Sequence, residues 1–411
     1  MLEERTVVET GVVIVGAGPA GLMLSHLLSR AGIDTVVVEK RSREEIANTH
    51  RAGILEAGTV AMLTGSGVDG RVLSHGHEGT VLRFEGESRR IDFQELVGES
   101  VWLYPQNEVF TDLAAARERD GGVVHWEVTD TAVQDLTTEH PGVRCTTADG
   151  RQLEIRARLL VGADGSRGVC RRQIPADVRT DNFTEYPFAW FGILCEAPPS
   201  APELIYAHSR HGFALISQRS DTVQRMYFQC DPATDVADWD DERIWDELQR
   251  RVDGTGRAHP AAGADLRQDG PAVPLVRVRA AAPREHVPGG GRRAHRAAHR
   301  GQGPEPRVLR RAGARPGDRR LLRHGDDSGL AGYSAKALER IWKAQNFSYW
   351  VTNLMHVAPD ENPFAVKRRR GEFRRSPARS TARPTSPSPT PGGRTGPDRP
   401  RPTPATHHPR R

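Results

Sequence analysis

The chain has 411 residues, 37% hydrophobic and 27% charged, with a formal net charge of +5. That length suits two domains or one large α/β unit carrying an insertion. No run of ~18 apolar residues is present to span a bilayer. The start, Met1-Leu2-Glu3-Glu4-Arg5, is too acidic to read as a signal peptide. Cys145, Cys170, Cys195 and Cys230 stand far apart with no CxxC pair, and the 16 histidines show no metal spacing. The expectation is a cytoplasmic protein with reduced thiols and no metal site.

The positive charge is unevenly spread. From Gly256 to Gly325, 70 residues use ten amino-acid types and hold 16 Arg against five acids. From Arg374 to Arg411 there are nine Arg, one acid (Asp398) and 10 of the 29 prolines. Everything outside these two segments sums to −14. A basic nucleic-acid-binding protein is the reading that the overall charge invites. The Arg-rich segments carry neither aromatic interleaving nor a recognition motif, so no nucleic-acid partner is expected.

In chain order, Val12-Val13-Ile14-Val15 reads as a buried parallel strand ending in Gly16. Leu22, Leu24, Leu27 and Leu28 then follow at near-helical spacing up to Gly32, a candidate C-cap. Val36-Val37-Val38 is the next strand, completing a βαβ opening. Leu159-Leu160-Val161 is a later buried strand, ending in Gly162-Ala163-Asp164-Gly165. Alternating apolar and polar residues between Phe183 and Gln229 predict antiparallel strands of a second, sheet-based unit. A helix is predicted from Asp240, its N-cap, to Arg251, with Ile244, Trp245 and Leu248 on one face. Another is predicted from Ala337 to His356, with Leu338, Ile341, Trp342 and Ala344 apolar.

Gly16-Ala17-Gly18-Pro19-Ala20-Gly21 is a GxGxxG turn between strand and helix, and Glu39 ends the next strand 23 residues after Gly16. Gly16 permits the tight turn, Gly18 lets a pyrophosphate approach the backbone, and Gly21 lets helix and strand pack closely. Glu39 is placed to accept from a ribose 2′-hydroxyl. Together these point to a bound dinucleotide in a Rossmann-like domain.

The string from Gly162 to Arg167, with Arg171 further on, resembles the second flavin motif of the FAD-dependent aromatic hydroxylases. The resemblance narrows to the members of that family acting on 4-hydroxybenzoate through residues 51–56 (RAGILE), 186–192 (YPFAWFG), 203–207 (ELIYA), 212–220 (GFALISQRS) and 340–344 (RIWKA). It covers about residues 9–252 and 326–373. It implies an α/β fold in which an antiparallel β-sheet substrate domain (76–96 and 183–269) is inserted into the FAD-binding domain (9–75, 97–182 and 270–373). It also implies a homodimer and a reaction in which NADH or NADPH reduces FAD and O₂ supplies an oxygen atom to a small aromatic acid. Carried over by position, Ser217, Arg219 and Tyr227 would bind the substrate carboxylate, and Tyr206 would hydrogen-bond the phenol and help deprotonate it. Arg51, Gln106, Asp164 and Arg225 would lie along the flavin, and Arg171 would meet the phosphates of the nicotinamide coenzyme. Without the resemblance, Arg219 would read as a surface ion pair and Tyr206 as a packed strand aromatic. The loop Lys40-Arg41-Ser42-Arg43-Glu44-Glu45 corresponds to the family's coenzyme-discriminating segment. Its two carboxylates would repel a 2′-phosphate while Lys40, Arg41 and Arg43 would attract it, and NADH is expected to serve at least as well as NADPH. The rival assignment within flavin chemistry is a hydroxylase or oxidoreductase for another phenol.

The family's third flavin motif, a Gly-Asp before a Pro-rich turn and helix, is missing where the ten-letter segment stands. Back-translating Pro288 to Pro306 and moving one base forward permits the reading LAGDAAHIVPPTGAKGLNL, which resembles that motif at every position. The written chain is therefore expected to leave its frame near Arg251–Arg257 and regain it near Gly325–Asp327, with a second slip after Phe373. A real Pro-rich, basic disordered tail is the other reading of 374–411. A chain with this literal segment is expected to be poorly folded or to hold FAD weakly, because the segment cannot fill the core there and ribityl-chain and ring contacts and a helix N-terminus are lost.

Overall fold

A computed structural model describes residues 5–49, 53–77, 79–177, 186–253, 275–280, 333–375 and 379–380. Arg51 and nearly all of the compositionally odd segments lie outside them. The first strand is Arg5–Val15, longer than its buried run, because residues 5–10 pair in parallel register with Gln152–Ala157. Val12, Val13, Ile14 and Val15 are its buried end, as the apolar run predicts. The helix Pro19–Arg30 follows, with Gly32 in the left-handed region (φ 71°) just past its end. Strand Thr35–Val38 then returns parallel to the first and is buried along its length.

The six-stranded sheet built on this βαβ unit has Arg5–Val15 between Thr35–Val38 and Gln152–Gly162. Val123–His125 extends it in parallel beyond Thr35–Val38. Gly142–Thr146 and Thr129–Gln134 extend it antiparallel on the other side. Packing across the sheet uses both faces. One carries Ile14, Leu22, Met23, Leu63, Phe110 and Leu113, and the other Val13, Val36, Val143 and Ile155. Burial on both faces is why these strands read as continuous apolar runs.

The second sheet has eight strands, of which Ala189–Glu196, Leu204–Ser209, Gly212–Gln218 and Val223–Cys230 form its middle with antiparallel neighbours. The hairpin Gly79–Phe84 and Glu87–Asp92 joins at the Leu204–Ser209 side, and that junction is parallel. The sheet is antiparallel but for that one junction. A hairpin arriving from more than a hundred residues upstream is free of the short-turn constraint that enforces antiparallel pairing. Leu275–Ala280 adds an edge strand against Ala189–Glu196, past the boundary at 270 expected from the sequence.

Direct register pairs set the faces of this sheet. One face carries Phe191, Ile193, Ile205, Ala207, Ala214, Ile216, Met226 and Phe228. Helix Asp241–Asp253 covers it with Ile244, Leu248 and Val252. The Asp240 carboxylate accepts from Arg243 N at 2.8 Å, confirming the predicted N-cap. The opposite face meets the C-terminal helices Tyr333–Met355 and Pro363–Arg375 through Leu354, Met355 and Phe373. In the first of these helices Leu338 and Trp342 are exposed, and burial is confined to the C-terminal half (Ser348, Thr352, Leu354, Met355). Helix Pro363–Arg375 is clamped to the hairpin by Arg370–Glu85 and Arg374–Glu87 ion pairs and by Phe373 stacked on Phe84.

Candidate functional site

The turn after the first strand is built around close approach. Gly16 has φ 106°, and a Cβ there would lie 2.6 Å from the Ala163 backbone. A Cβ on Gly21 would lie 1.9 Å from the Gly16 carbonyl oxygen, so helix and strand touch backbone to backbone. Gly18 is different: a Cβ there would meet nothing within 4 Å. It is the N-cap of helix Pro19–Arg30 and has no side chain to cap it, and the space beside its Cα is open. That open cradle at a helix N-terminus fits a pyrophosphate. Buried Glu39 accepts from Ala17 N (2.8 Å) and Arg41 N (3.1 Å), which fixes the carboxylate beside the same turn.

Asp164 follows the parallel strand Gln152–Gly162 at the same sheet end, and Ala163 N donates to Val15 O at 2.7 Å. Its Oδ2 accepts from Cys170 N at 3.0 Å, and a Cβ on Gly168 would collide with the carboxyl group. The second motif is therefore packed directly against the first. Arg171 is exposed on the short helix Val169–Arg172 and donates to Ser166 O at 3.1 Å. Gln106 opens helix Gln106–Arg119, beside Pro105, against which Gly53 packs closely.

The remaining candidates gather on the second sheet. Tyr206 lies opposite Leu215, Leu215 opposite Tyr227, and Ser217 opposite Arg225. Because paired positions and every second residue share a face, Tyr206, Leu215, Ser217, Arg225 and Tyr227 line one side. Arg219 comes just past the Ser217 strand end, its N–H donating to Val223 O at 2.8 Å. Arg225, assigned by resemblance to the flavin, thus shares a row with the residues assigned to the substrate. Its guanidinium sits 4.9 Å from the Tyr227 ring centroid, and its Nη1 is buried without a hydrogen-bond partner among the described residues.

Burial lowers the Arg219 pKa to about 10, with repulsion from Arg225 adding to the effect. It remains cationic at neutral pH. Burial raises the Tyr227 pKa, outweighing both arginines, and pushes Tyr206 up to about 12. The face therefore presents neutral phenol groups and concentrated positive charge among apolar walls. Such an arrangement suits an aromatic anion.

The sequence pattern did not single out the wall itself. The Trp190 ring centroid is 5.3 Å from those of both Tyr227 and Phe213, and the Tyr206 and Phe213 centroids are 6.1 Å apart. His356, from the turn after helix Tyr333–Met355, is buried behind them. Trp190 Nε1–H donates to His356 Nε2 at 2.7 Å, and His356 Nδ1 lies 2.9 Å from Thr352 O. Burial lowers the His356 pKa to about 3 and that of neighbouring His208 to about 4. Among the described residues, no helix is long and apolar enough to cross a membrane, and no cluster of His, Cys, Asp or Glu could hold a metal ion.

Residues 9–265 match the FAD binding domain family. The chain is 35% identical over 379 residues to p-hydroxybenzoate hydroxylase of Acinetobacter baylyi, covering 89% of this chain and 91% of that one. A 3-(3-hydroxy-phenyl)propionate/3-hydroxycinnamic acid hydroxylase of Mycobacterium avium is 31% identical over 179 residues, 40% of this chain and 30% of that protein. Among solved structures, PqsL of Pseudomonas aeruginosa, in complex with 2-aminobenzoylacetate, has a TM-score of 0.67 at 21% identity, covering 89% of this chain and all of that one. The p-nitrophenol 4-monooxygenase PnpA of Pseudomonas putida has a TM-score of 0.68 at 18% identity, covering 89% of this chain and 93% of that one. The two structures share the α/β fold.

Proposed function

Since the chain belongs to the family of FAD-dependent aromatic hydroxylases, we propose that it converts 4-hydroxybenzoate to 3,4-dihydroxybenzoate with NADH or NADPH and O₂. The observation that carries the substrate assignment is the pair of half-buried arginines, Arg219 and Arg225, beside Ser217 and Tyr227, on a face walled by aromatic rings. Arg219 as bidentate partner, with Ser217 and Tyr227, holds the carboxylate and so aims the ring. Tyr206 hydrogen-bonds the phenol. The nearby positive charge favours the phenolate, and phenolate character makes the ring carbon beside the hydroxyl more nucleophilic.

Gly16, Gly18, Gly21 and Glu39 would hold the adenosine diphosphate portion of FAD, with Arg51, Gln106 and Asp164 along the flavin and Arg171 toward the coenzyme phosphates. Bound FAD supplies the oxygen-activating chemistry; the chain supplies orientation and electrostatics. The two sheets correspond in this reading to a flavin domain and an inserted substrate domain. Glu44 and Glu45 favour NADH at least as well as NADPH, in a homodimer working in the cytoplasm.

Titrating the FAD-loaded protein with 4-hydroxybenzoate, and following the flavin absorbance, tests the assignment. Saturable binding at least about tenfold tighter than that of 4-hydroxybenzamide, which lacks the carboxylate, is expected. Equal binding of both compounds would move the assignment to another phenol.

A further inference from the structure

We propose that His356 is a positioning residue for the substrate face, its ring fixing the Trp190 indole and, through it, the Tyr227 ring. The inference rests on the assignment of Tyr227 to the substrate carboxylate. Its geometric basis is independent of which phenol binds. Trp190 and Tyr227 occupy the same face of neighbouring strands, with ring centroids 5.3 Å apart. Tyr227 in turn lies under the Arg225 guanidinium. The placement of Trp190 therefore bears directly on a ring and a cation assigned to ligand contact.

His356 aims the indole through one hydrogen bond and is itself held between two aromatic rings. The Trp190 and His356 rings are parallel to within 1°, with the indole N–H aimed at Nε2. Phe188 and Phe213 flank the imidazole, each with a centroid distance of 4.4 Å. Nε2 accepts from Trp190, so the ring proton sits on Nδ1, where it donates to the Thr352 carbonyl. The backbone around His356 is tied to the same sheet. Gln229, two residues beyond Tyr227, accepts from Val357 N (3.1 Å) and donates to Val357 O (2.6 Å). A hydrogen bond across 166 residues thus couples the end of helix Tyr333–Met355 to the wall of the candidate site.

A core histidine whose only task is to fill space would tolerate Phe as well as Gln. A positioning histidine would not: Gln keeps an acceptor for the indole, whereas Phe keeps the stack and removes it. The test compares His356→Gln, His356→Phe and Trp190→Phe in the full-length, FAD-loaded protein. The first readout is the ¹⁵N-indole resonance of Trp190, assigned by its loss in Trp190→Phe, and its hydrogen-exchange protection. The second is the Kd for 4-hydroxybenzoate. His356→Phe is expected to shift the resonance, speed its exchange and weaken binding about tenfold, the scale of one buried donor left without a partner. His356→Gln should restore most of both, and His356→Phe should cost nothing further in the Trp190→Phe background.

An unchanged indole resonance in His356→Phe overturns the proposal, as does equal impairment by Gln and Phe. If the unmutated protein fails to bind 4-hydroxybenzoate, the substrate reading falls alone. The indole resonance then decides the His356–Trp190 coupling by itself.

Discussion

Replacing Gly18 and Gly21 separately by alanine should divide one glycine motif into two physical roles. At Gly21 the new methyl would sit 1.9 Å from the Gly16 carbonyl oxygen and 3.3 Å from the Ala163 Cβ. Ordinary contact needs about 3.5 Å, so helix Pro19–Arg30 would have to retreat by more than about 1 Å from the strand it packs on. Overpacking of that kind costs about 1–3 kcal/mol, and here it acts on backbone that has no rotamer to yield. Gly21→Ala is therefore expected to lower the urea midpoint of the apoprotein and to impair FAD retention as a consequence. At Gly18 the methyl meets nothing within 4 Å, and φ is an ordinary −62°. Gly18→Ala should change apoprotein stability by less than about 1 kcal/mol, since the reduced entropy of the unfolded chain and the poorer helix N-cap oppose each other. It should nonetheless weaken FAD by at least about tenfold, because the methyl stands where a pyrophosphate must approach the helix N-terminus. Urea unfolding of the apoproteins, with FAD titration followed by flavin fluorescence, separates the two effects. FAD binding by Gly18→Ala equal to that of the parent protein, or equal loss of apoprotein stability in both variants, would refute the reasoning.

Arg219→Lys keeps the charge but loses the planar fork, so the Kd for 4-hydroxybenzoate should rise about tenfold or more while 4-hydroxybenzamide is unaffected; an equal effect on both ligands would count against carboxylate binding there. His208 and His356, with pKa values held down to about 4 and about 3 by burial, take up protons only in the unfolded chain as pH falls below its ordinary value of 6.5. Their stability contribution is complete above pH 6.5 and is lost toward pH 4, by about 1.4 kcal/mol per histidine at pH 5.5. Urea midpoints at pH 7.5 and 5.5 check this, and the difference should shrink in a His208→Gln/His356→Gln double variant. Arg369→Ala strands the buried Glu361 carboxylate, a bidentate partner with both side chains under 10% exposed, and should destabilise by about 3–5 kcal/mol in chemical unfolding. Restoring the alternative reading frame over 256–325 should let FAD stay with the protein through gel filtration better than the literal chain; equal retention would show that the missing motif is dispensable.

The dinucleotide turn was legible because its requirements are local. Strand, glycines, helix and acid fall within a short stretch, and each has a backbone reason that one sequence displays. The row from Tyr206 to Tyr227 was legible through resemblance, while its shared face followed from the period-2 alternation of strands. The aromatic wall was not legible. Trp190 and His356 are far apart in sequence, and a single histidine at a helix end carries no pattern that names its partner. The parallel junction between Gly79–Phe84 and Leu204–Ser209 was hidden for the same reason, since register between distant segments is a tertiary property. Leu338 and Trp342, apolar residues of the predicted C-terminal helix, are exposed, and the helix's described burial lies at its other end. The anomalous composition of 256–325 and 374–411 was visible at once in the charge balance. It explains why a chain whose remainder is acidic carries a net positive charge.

The substrate assignment meets its most direct test in a turnover experiment with ¹⁸O₂, excess FAD, NADH or NADPH, and 4-hydroxybenzoate. The expected result is coenzyme oxidation stimulated by 4-hydroxybenzoate and 3,4-dihydroxybenzoate carrying one ¹⁸O atom. Coenzyme oxidation that 4-hydroxybenzoate does not stimulate, or that yields only hydrogen peroxide from FAD-saturated protein, would contradict it.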